Sequence, residues 1–506
     1  MDKQILSYPV LLLSFLLFIL MVLRIWKKSK GSFNSPPGPW KLPLIGNMHQ
    51  LITPLPHHRL RELAKTHGPV MSIQLGQVSA VVISSVEAAK QVLKTQGELF
   101  AERPSILASK IVLYNGMDII FGSYGDHWRQ MRKICTFELL SPKRVQSFSS
   151  VRQEELSNYV RFLHSNAGSP VNLSKTLFAL TNSVIAKIAV GKECKNQEAL
   201  LNLIEEVLVA AGGFTVADSF PSYNFLHVIT GMKSNLERLH RITDKILEDI
   251  ITEHKAPRAL FKRGGDEDKK EAENLLDVLL GLQEHGNLKV PLTNESVKSA
   301  ILEMLSGGSD TSAKTIEWAM SELMRSPEAM EKAQEEVRRV FGELGKIEES
   351  RLHELKYLKL VIKETLRLHP ALALIPRECM KRTKIDGYDI SPKTKALVNV
   401  WAIGRDPSVW NEPEKFFPER FVDSSIDFRG NNFELLPFGS GKRICPGMTL
   451  GLATVELFLS YLLYYFDWKL VGGVPLDMTE AFAASLKRKI DLVLIPISVG
   501  PSPTTD

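Results

Sequence analysis

Cys445 lies in a glycine-rich loop, Pro437-Phe438-Gly439-Ser440-Gly441-Lys442-Arg443-Ile444-Cys445-Pro446-Gly447, which leads into an apolar helical run from Met448 to Phe466. A thiol close to a helix N-terminus, with two cations beside it in the loop, can be held as a thiolate and can bind a metal ion. A buried free thiol beside a turn is the alternative interpretation. Cys445 is the best candidate for an iron ligand in this chain.

The neighbours of the cysteine suit a flat cofactor. Gly439, Gly441 and Gly447 let the backbone approach it and adopt turns with positive φ, and amide N–H groups aimed at the sulfur tune its electron donation. Phe438 can cover the sulfur and exclude water. Arg443 can reach a carboxylate at the cofactor edge.

The pattern Phe-x-x-Gly-x-Arg-x-Cys-x-Gly, here Phe438 to Gly447, resembles the haem-binding loop of the cytochrome P450 monooxygenases. The resemblance implies haem b as cofactor and Cys445 as the axial ligand of its iron. Phe438, Gly439 and Arg443 then contact the haem. The remaining cysteines are expected to be free thiols: Cys135, Cys194 and Cys379.

A long helix is predicted in the middle of the chain. Thr293 can cap it, and its apolar positions continue until Ser326-Pro327 ends it, which gives roughly 32 residues and about 48 Å. Gly307 and Gly308 at its centre cost roughly 1 kcal/mol each relative to alanine. Either they let a flat ligand or O₂ approach the backbone, or they permit close helix packing. The Thr311 hydroxyl can divert a carbonyl from the helical ladder.

The stretch from Gly307 to Ser312 is similar to the oxygen-binding stretch of the same family, Ala/Gly-Gly-x-Asp/Glu-Thr-Thr/Ser. By that resemblance Thr311 holds the dioxygen and its water, and Asp310 connects the site to bulk protons. Heterolytic cleavage of the O–O bond requires two protons at the distal oxygen, which suits this pair. Asp310 and Thr311 are therefore the predicted catalytic residues.

Two further motifs predict a structural clamp. Glu364 and Arg367 lie three residues apart on one helical face, where an exposed pair stabilises little. Together with Arg420 in Pro418-Glu419-Arg420-Phe421 they look like the Glu-Arg-Arg triad of the family. The resemblance assigns these three residues to the fold around haem and not to catalysis.

Trp128 and Arg132 stand four residues apart and can face one partner. By the resemblance that partner is a haem propionate, reached by the indole N–H and the guanidinium, and Arg377 is another propionate contact. The layout of the family also implies a mostly aliphatic substrate pocket. Its predicted residues are Ile111, Val112, Ser306, Gly307, Ala371, Leu374, Ile375 and Ala483.

Composition and charge set the broad class. The 506 residues are 44% hydrophobic and 24% charged, which allows a large core. The net charge of +6 comes from 63 basic and 57 acidic residues, too balanced and dispersed for a nucleic-acid footprint. The four cysteines match neither a zinc spacing nor a disulfide framework.

The N-terminal segment predicts a membrane anchor. Ile5 to Trp26 is almost entirely apolar, and Lys27, Lys28 and Lys30 follow at once. Under the positive-inside rule the rest of the chain lies on the cytosolic side, as in a single-pass protein of the endoplasmic reticulum membrane. A cleaved signal peptide is the alternative, but its charges should precede the apolar run. We divide the chain into an anchor, 1–34, and a haem-thiolate catalytic domain, 35–506.

The remaining patterns predict a mainly α fold with small β-sheets. Val70 to Leu75 and Ala80 to Ser84 predict a hairpin, and further strands are predicted at 384–390, 396–400 and 489–497. Apolar residues at helical spacing predict helices over 154–164, 197–211, 234–254 and 274–284. Segment 261–273 is of mixed charge and predicts a solvated loop.

The resemblance implies an NADPH- and O₂-dependent monooxygenase served by NADPH–cytochrome reductase, with cytochrome b5 as a second candidate donor. Lys133, Lys143, Arg144 and Lys442 are expected on the reductase-binding face. The sequence resembles enzymes of plant specialised metabolism, so a small hydrophobic sesquiterpene or diterpene is the leading substrate, and a lignan, alkaloid or phenylpropanoid-derived scaffold is second. A haem-thiolate isomerase or dehydratase of hydroperoxides, and a carrier without turnover, are alternatives of other classes.

Overall fold

The computed structural model describes residues 33–213, 215–261 and 274–500, with 14–16 and 19 of the N-terminal segment. Most of the predicted anchor and all but the first residue of the mixed-charge segment 261–273 therefore lie outside the described residues. Fold class follows the expectation: the described part is mainly helical, with small sheets beside the helices.

The α-helices follow one another along the chain with short connections. In the described residues they are α1 (Pro56–His67), α2 (Val86–Lys90), α3 (Leu107–Ile111), α4 (Asp126–Glu138), α5 (Pro142–Ser147), α6 (Ser149–Ser165), α7 (Leu173–Val190), α8 (Gln197–Ala210), α9 (Val216–Ser219), α10 (Asn224–Ile229), α11 (Met232–Phe261), α12 (Leu275–His285), α13 (Asn294–Glu303), α14 (Ser309–Arg325), α15 (Pro327–Phe341), α16 (Lys356–Leu368), α17 (Val400–Ile403) and α18 (Met448–Tyr465). Helices α6, α8, α11 and α12 confirm the four that apolar spacing predicts.

The strands are short and form several sheets. They are β1 (Val70–Leu75), β2 (Val78–Ile83), β3 (Val171–Asn172), β4 (Leu374–Glu378), β5 (Thr383–Ile385), β6 (Tyr388–Ile390), β7 (Lys395–Asn399), β8 (Phe466–Leu470), β9 (Glu480–Phe482), β10 (Leu486–Arg488) and β11 (Val493–Ser498). The largest described sheet has the order β1-β2-β7-β4, in which only the β2–β7 pair is parallel. Strands β3, β11 and β8 form a second sheet, and β5–β6 and β9–β10 are hairpins.

The predicted hairpin at 70–84 is confirmed, with Val70 opposite Ile83. The prediction of one strand over 384–390 is wrong. Asp386 and Gly387 both have positive φ and turn the chain there, so the segment is a hairpin of two short strands. A single strand would require extended backbone at both positions.

The predicted central helix is confirmed, but it is interrupted at the two glycines. Helix α13 begins after Thr293, whose hydroxyl accepts a bond from Ser296 N–H, and α14 ends at Arg325. Between them Met304–Gly308 forms a π-helical turn. Such a turn shifts the register of the helix, and it is frequent at functional sites. Helix α14 packs mainly against α7 and α18.

Two described helices, α7 and α18, are long and apolar enough to cross a membrane by length and composition. However, 72% of the apolar window of α7 and 61% of that of α18 are buried inside the protein. Both flank α14 and belong to the largest hydrophobic cluster of the described residues. They are core helices, and their apolar surface stabilises the helical part of the fold.

Candidate functional site

The cysteine loop lies directly before α18, and its backbone faces the sulfur. Cys445 N–H donates to Phe438 O at 2.9 Å. Burial, the largest effect, raises the pKa of the Cys445 thiol, whereas the N–H groups of Gly447 and Met448 and the charge of Arg132 lower it. The cation with the largest effect on the sulfur is thus Arg132, which lies outside the loop. A bound metal ion deprotonates such a thiol outright.

Two glycines of the loop adopt backbone conformations that favour glycine. Gly441 has φ +70°, and a Cβ at this position would lie 2.0 Å from Leu93 O, so only glycine fits. The expected positive φ is also present at Gly439 but not at Gly447, whose φ is −85°. Phe438 packs edge-on against Phe428 with 5.7 Å between ring centroids.

Arg443 and Arg132 lie beside Trp128. The Arg443 guanidinium donates to the carbonyls of Ala101 at 2.9 Å, Ile119 at 3.4 Å and Gly122 at 2.6 Å, and it lies 4.1 Å from the Trp128 ring. Arg132 donates to Ile444 O at 2.5 Å. The indole N–H, the expected propionate donor, donates here to Ile119 O at 3.0 Å.

Arg103 is a fourth cation in the cluster that contains the predicted residues Arg132, Arg377 and Arg443. Burial and the neighbouring arginines together lower the pKa of Arg103 to about 9 and that of Arg377 well below its usual range. Burial is also the largest cause that lowers the pKa of Arg443, to about 10. Carboxyls of the protein, Asp118 among them, offset only part of this effect, since the pKa of Arg103 and Arg443 stays lowered, so the four guanidiniums favour further anions beside them. Two propionates at the haem edge meet that need, so the residues fit haem b.

Arg103 was not among the sequence predictions. Its Nε donates to Ile120 O at 2.9 Å and its Nη1 to Pro376 O at 2.5 Å, so it joins the 119–122 loop to β4. The available signal was weak: an arginine before proline, between segments that turn out to be buried. Its partners are backbone carbonyls far away in sequence, which no local pattern encodes.

The buried carboxyls of Asp118 and Glu303 were also missed. Glu303 accepts from Ile119 N–H at 2.8 Å, and Asp118 accepts from Phe121 N–H at 2.5 Å. Burial raises the pKa of each carboxyl, and their mutual repulsion adds to the effect at Glu303. The two carboxyl groups fix the 118–122 loop, whose backbone carbonyls accept hydrogen bonds from the arginines. The loop is thereby held against α13.

The central glycines have different neighbours. A Cβ at Gly308 would lie 3.0 Å from Ile185 Cδ1, so this glycine permits the close packing of α7. Gly307 instead faces Ile120 of the 118–122 loop, whose Cδ1 would lie 3.7 Å from a Cβ at Gly307. The Thr311 hydroxyl donates to Gly307 O at 2.7 Å, which is the diverted carbonyl that we expected. The packing interpretation is therefore confirmed for Gly308, and approach of a ligand or O₂ to Gly307 stays a prediction.

Asp310 is buried at the start of α14. Burial, the largest effect, raises the pKa of its carboxyl, against the opposing effects of Lys314, Ser485 and Lys487. One carboxyl oxygen, Oδ2, has no hydrogen-bond partner among the described residues. Lys314 and Lys487 have side-chain exposures of 12% and 29%, so polar groups extend from Asp310 toward solvent.

Glu364, Arg367 and Arg420 meet in one buried cluster. Arg367 forms two bonds of 2.8 Å to Glu364, and Arg420 Nε donates to Glu364 Oε1 at 2.9 Å. The remaining guanidinium N–H groups donate to carbonyls between 404 and 415. The cluster thus connects α16 to the segment that precedes the cysteine loop.

The predicted pocket residues come from separate parts of the chain. Val112 is buried at the end of α3, and Ser306 donates to Leu302 O within the π-helical turn. Ile375 Cδ1 lies 3.4 Å from a Cβ built on Gly439, and Leu486 N–H donates to Ala371 O at 2.7 Å. The other members lie on the same elements: Ile111 on α3, Gly307 on the π-helical turn, Leu374 on β4 and Ala483 after β9.

Comparison with known proteins identifies the family. The family model described as Cytochrome P450 matches residues 36–494. Cytochrome P450 726A27 of Euphorbia lathyris is 61% identical over 98% of this chain and 99% of its own length. Premnaspirodiene oxygenase of Hyoscyamus muticus is 51% identical over 97% and 99%, and desmethyl-deoxy-podophyllotoxin synthase of Sinopodophyllum hexandrum is 52% identical over 98% of both chains.

A solved structure shares the fold. A zebrafish cytochrome P450 with progesterone has a TM-score of 0.74 and 24% identity, and the alignment covers 87% of this chain and 99% of that one. At this identity the likeness supports the fold alone. The fold, the family model and the full-length relatives agree with the cysteine loop and the arginine cluster. The chain belongs to the cytochrome P450 family, and it is an NADPH- and O₂-dependent haem-thiolate monooxygenase whose cofactor is haem b.

Proposed function

We propose that this monooxygenase inserts one oxygen atom into a hydrophobic plant terpenoid, a sesquiterpene or diterpene. The carrying observation is the full-length similarity to premnaspirodiene oxygenase, together with the aliphatic character of the residues around the central helix. Val112, Leu374, Ile375 and Ala483 offer no side-chain hydrogen bond, and Gly307 leaves space above the helix. A site of this kind binds a hydrocarbon by apolar contact and shape.

The protein residues have distinct tasks in this proposal. When bound, haem supplies the oxidant, and the chain supplies position, protons and exclusion of water. The Thr311 hydroxyl, next to the π-helical turn, orients a water or dioxygen at the groove. Asp310, whose burial favours the protonated carboxyl, passes a proton from the side of Lys314 and Lys487.

A lignan is the second candidate substrate class, because desmethyl-deoxy-podophyllotoxin synthase is similar over the same length. Microsomes that contain the chain and an NADPH–cytochrome reductase should be given sesquiterpenes, diterpenes and lignans, with products identified by mass spectrometry. The proposal expects NADPH-dependent products heavier by one oxygen from a terpene. Turnover of lignans alone would transfer the assignment to the second class.

We infer that one face of the protein contacts the endoplasmic reticulum membrane. Trp40, Leu44 and Ile52 are 65%, 80% and 84% exposed, and Val228 and Ile229 on α10 are 67% and 76% exposed. The turn between β1 and β2 holds both groups on one side, since Gly76 N–H bonds to Ile45 O and Gln77 N–H to Ser219 O. A cluster of this kind marks a membrane or partner site. It is compatible with an anchor that places the domain on the cytosolic side.

We further propose that the reductase docks beside the cysteine loop. Lys133 follows Arg132, which contacts the loop, and Lys143 lies on α5, which packs against α18; both lysines are exposed. Lys442 is paired with Glu98 and also contacts Tyr124, and Arg144 donates to Glu138 O at 2.7 Å. Lys133 and Lys143 are therefore the principal docking charges. Cytochrome b5 is a candidate for the same face.

Reversing these two charges, with Lys133→Glu and Lys143→Glu, is expected to raise the reductase concentration needed for half-maximal turnover at low salt. The difference from the parent protein should shrink as ionic strength rises, because salt screens exposed charges. Lys65→Glu on α1 is the control. Reductase titrations at several salt concentrations check this result, and a salt-independent difference would contradict electrostatic docking.

A further inference from the structure

A cluster of three histidines and one glutamate lies outside the haem site. His57 and His58 are in the first turn of α1, Glu480 begins β9, and His369 follows α16. His58 Nε2 lies 2.7 Å from Glu480 Oε2, and His57 Nε2 lies 3.0 Å from the same oxygen. His57, His369 and Glu480 are buried, whereas the His58 side chain is 40% exposed.

His369 provides an independent indication of a cation. Its Nε2 is 2.7 Å from Glu322 Oε1, so in the neutral ring the proton on Nε2 bonds to Glu322 and Nδ1 carries a lone pair. Within the part of the chain that the structure describes, that buried Nδ1 has no hydrogen-bond partner, and it lies 3.7 Å from Glu480 Oε1. A lone pair opposite a carboxylate is repulsive unless a cation lies between them. The cation is either a proton or a metal ion.

The aromatic surroundings hold these groups in place. Trp318 stacks on the His369 ring at 4.0 Å between centroids, and Trp401 stacks on His58 at 3.9 Å. Trp401 Nε1–H also donates to Glu480 Oε1 at 3.1 Å. A carboxylate that orients a ligating histidine, as Glu322 does for His369, is typical of metal sites.

We propose that His57, His58 and Glu480 bind a transition-metal ion of the Zn²⁺ class, and that His369 Nδ1, 3.7 Å from the other Glu480 oxygen, shifts toward the ion to become the fourth donor. The nitrogen and oxygen atoms of the first three residues lie within 4.8 Å of one another. A tetrahedral ion with bonds of 2.0–2.1 Å separates its ligand atoms by about 3.3 Å, so the contacts of 2.7 and 3.0 Å need to lengthen by about 0.6 and 0.3 Å. Imidazole and carboxylate donors suit Zn²⁺.

The site also has an entry path and a structural consequence. His58, His369 and Glu480 line an open cavity of about 480 Å³, through which an ion can reach the cluster. The bound ion joins α1, the end of α16 and the β9–β10 hairpin. That hairpin carries Ala483 of the predicted substrate pocket, so occupancy should stabilise this wall.

The test uses purified, haem-loaded protein and Zn²⁺ alone. After equilibration with a zinc buffer and dialysis, we expect one zinc per haem, and zinc-edge X-ray absorption should show nitrogen and oxygen neighbours at about 2.0–2.1 Å, with imidazole scattering. His58→Gln, at the half-exposed ligand, should weaken binding at least tenfold while the haem spectrum is retained. His67→Gln, on the same helix, should bind zinc as the parent does.

Two results would overturn the metal site. Less than stoichiometric zinc in the parent protein means that protons alone hold the cluster. Equal zinc affinity of the His58→Gln variant and the parent means that zinc binds elsewhere. If His58→Gln loses its haem, the parent protein alone can be tested by competition with a chromophoric chelator. Failure of the parent protein to retain one zinc in that competition also overturns the proposal.

Discussion

Arg367→Ala is expected to eliminate most of the folded, haem-loaded protein. The guanidinium is fully buried and paired with Glu364, and its other N–H groups bond to carbonyls of the 404–415 segment. Its removal leaves the Glu364 charge with only Arg420 and leaves those carbonyls unpaired. Breaking a buried pair in this way costs about 3–5 kcal/mol, a large share of the roughly 5–15 kcal/mol that stabilises a protein.

The measurement is haem content together with thermal unfolding of protein purified from cells grown at low temperature. Arg351→Ala is a matched control, because Arg351 also forms two bonds to a glutamate three residues away, but at the surface. It should change the midpoint of unfolding far less, since exposed pairs contribute little. Equal effects of the two substitutions would show that burial of the triad is not what matters.

Removal of the Thr311 hydroxyl is expected to divert electrons from product to hydrogen peroxide. Thr311→Val keeps the volume of the side chain but loses the hydroxyl that now bonds to Gly307 O. Without a positioned hydroxyl, protons arrive at the wrong oxygen, so NADPH consumption should continue while product per NADPH falls. Asp310→Asn should slow turnover by roughly 10²-fold, the lower range for loss of a positioned acid.

Thr311→Ser is the control for the hydroxyl and should retain most of the coupling. NADPH consumption, peroxide and product are measured in the same reaction. The solvent isotope effect on kcat should rise in Asp310→Asn, because proton delivery then limits the rate, and a merely structural change would not produce that rise. Parent-like coupling in Thr311→Val is incompatible with the assigned role.

The sequence predicted the elements whose signals are local. The cap at Thr293, the apolar positions after it and the stop at Ser326-Pro327 predicted the central helix, and the short runs with β-branched residues around Gly76 predicted the first hairpin. At 384–390 a local turn signal was overlooked: Asp386-Gly387, a dipeptide typical of tight hairpin turns, divides the segment into two short strands. The residues of the Glu-Arg-Arg cluster were identified because two motifs occur in the order typical of the family.

The missed residues share a physical property: their partners are distant in sequence and are mostly backbone atoms. Arg103 bonds to carbonyls of Ile120 and Pro376, and Glu303 accepts from Ile119 N–H. Buried groups of this kind have no periodicity, because any chain segment can offer a carbonyl or an amide. The histidine–glutamate cluster was not predicted from the sequence because its members are also far apart along the chain: α1 and β9 are separated by most of it.

The most direct test of the central claim is the absorption spectrum of the reduced protein with carbon monoxide, for the parent and for Cys445→Ser. The account predicts the long-wavelength Soret band that marks thiolate ligation in the parent, and its loss together with turnover in the variant. A parent protein without that band, or a variant that keeps it and still forms product, would contradict Cys445 as the iron ligand.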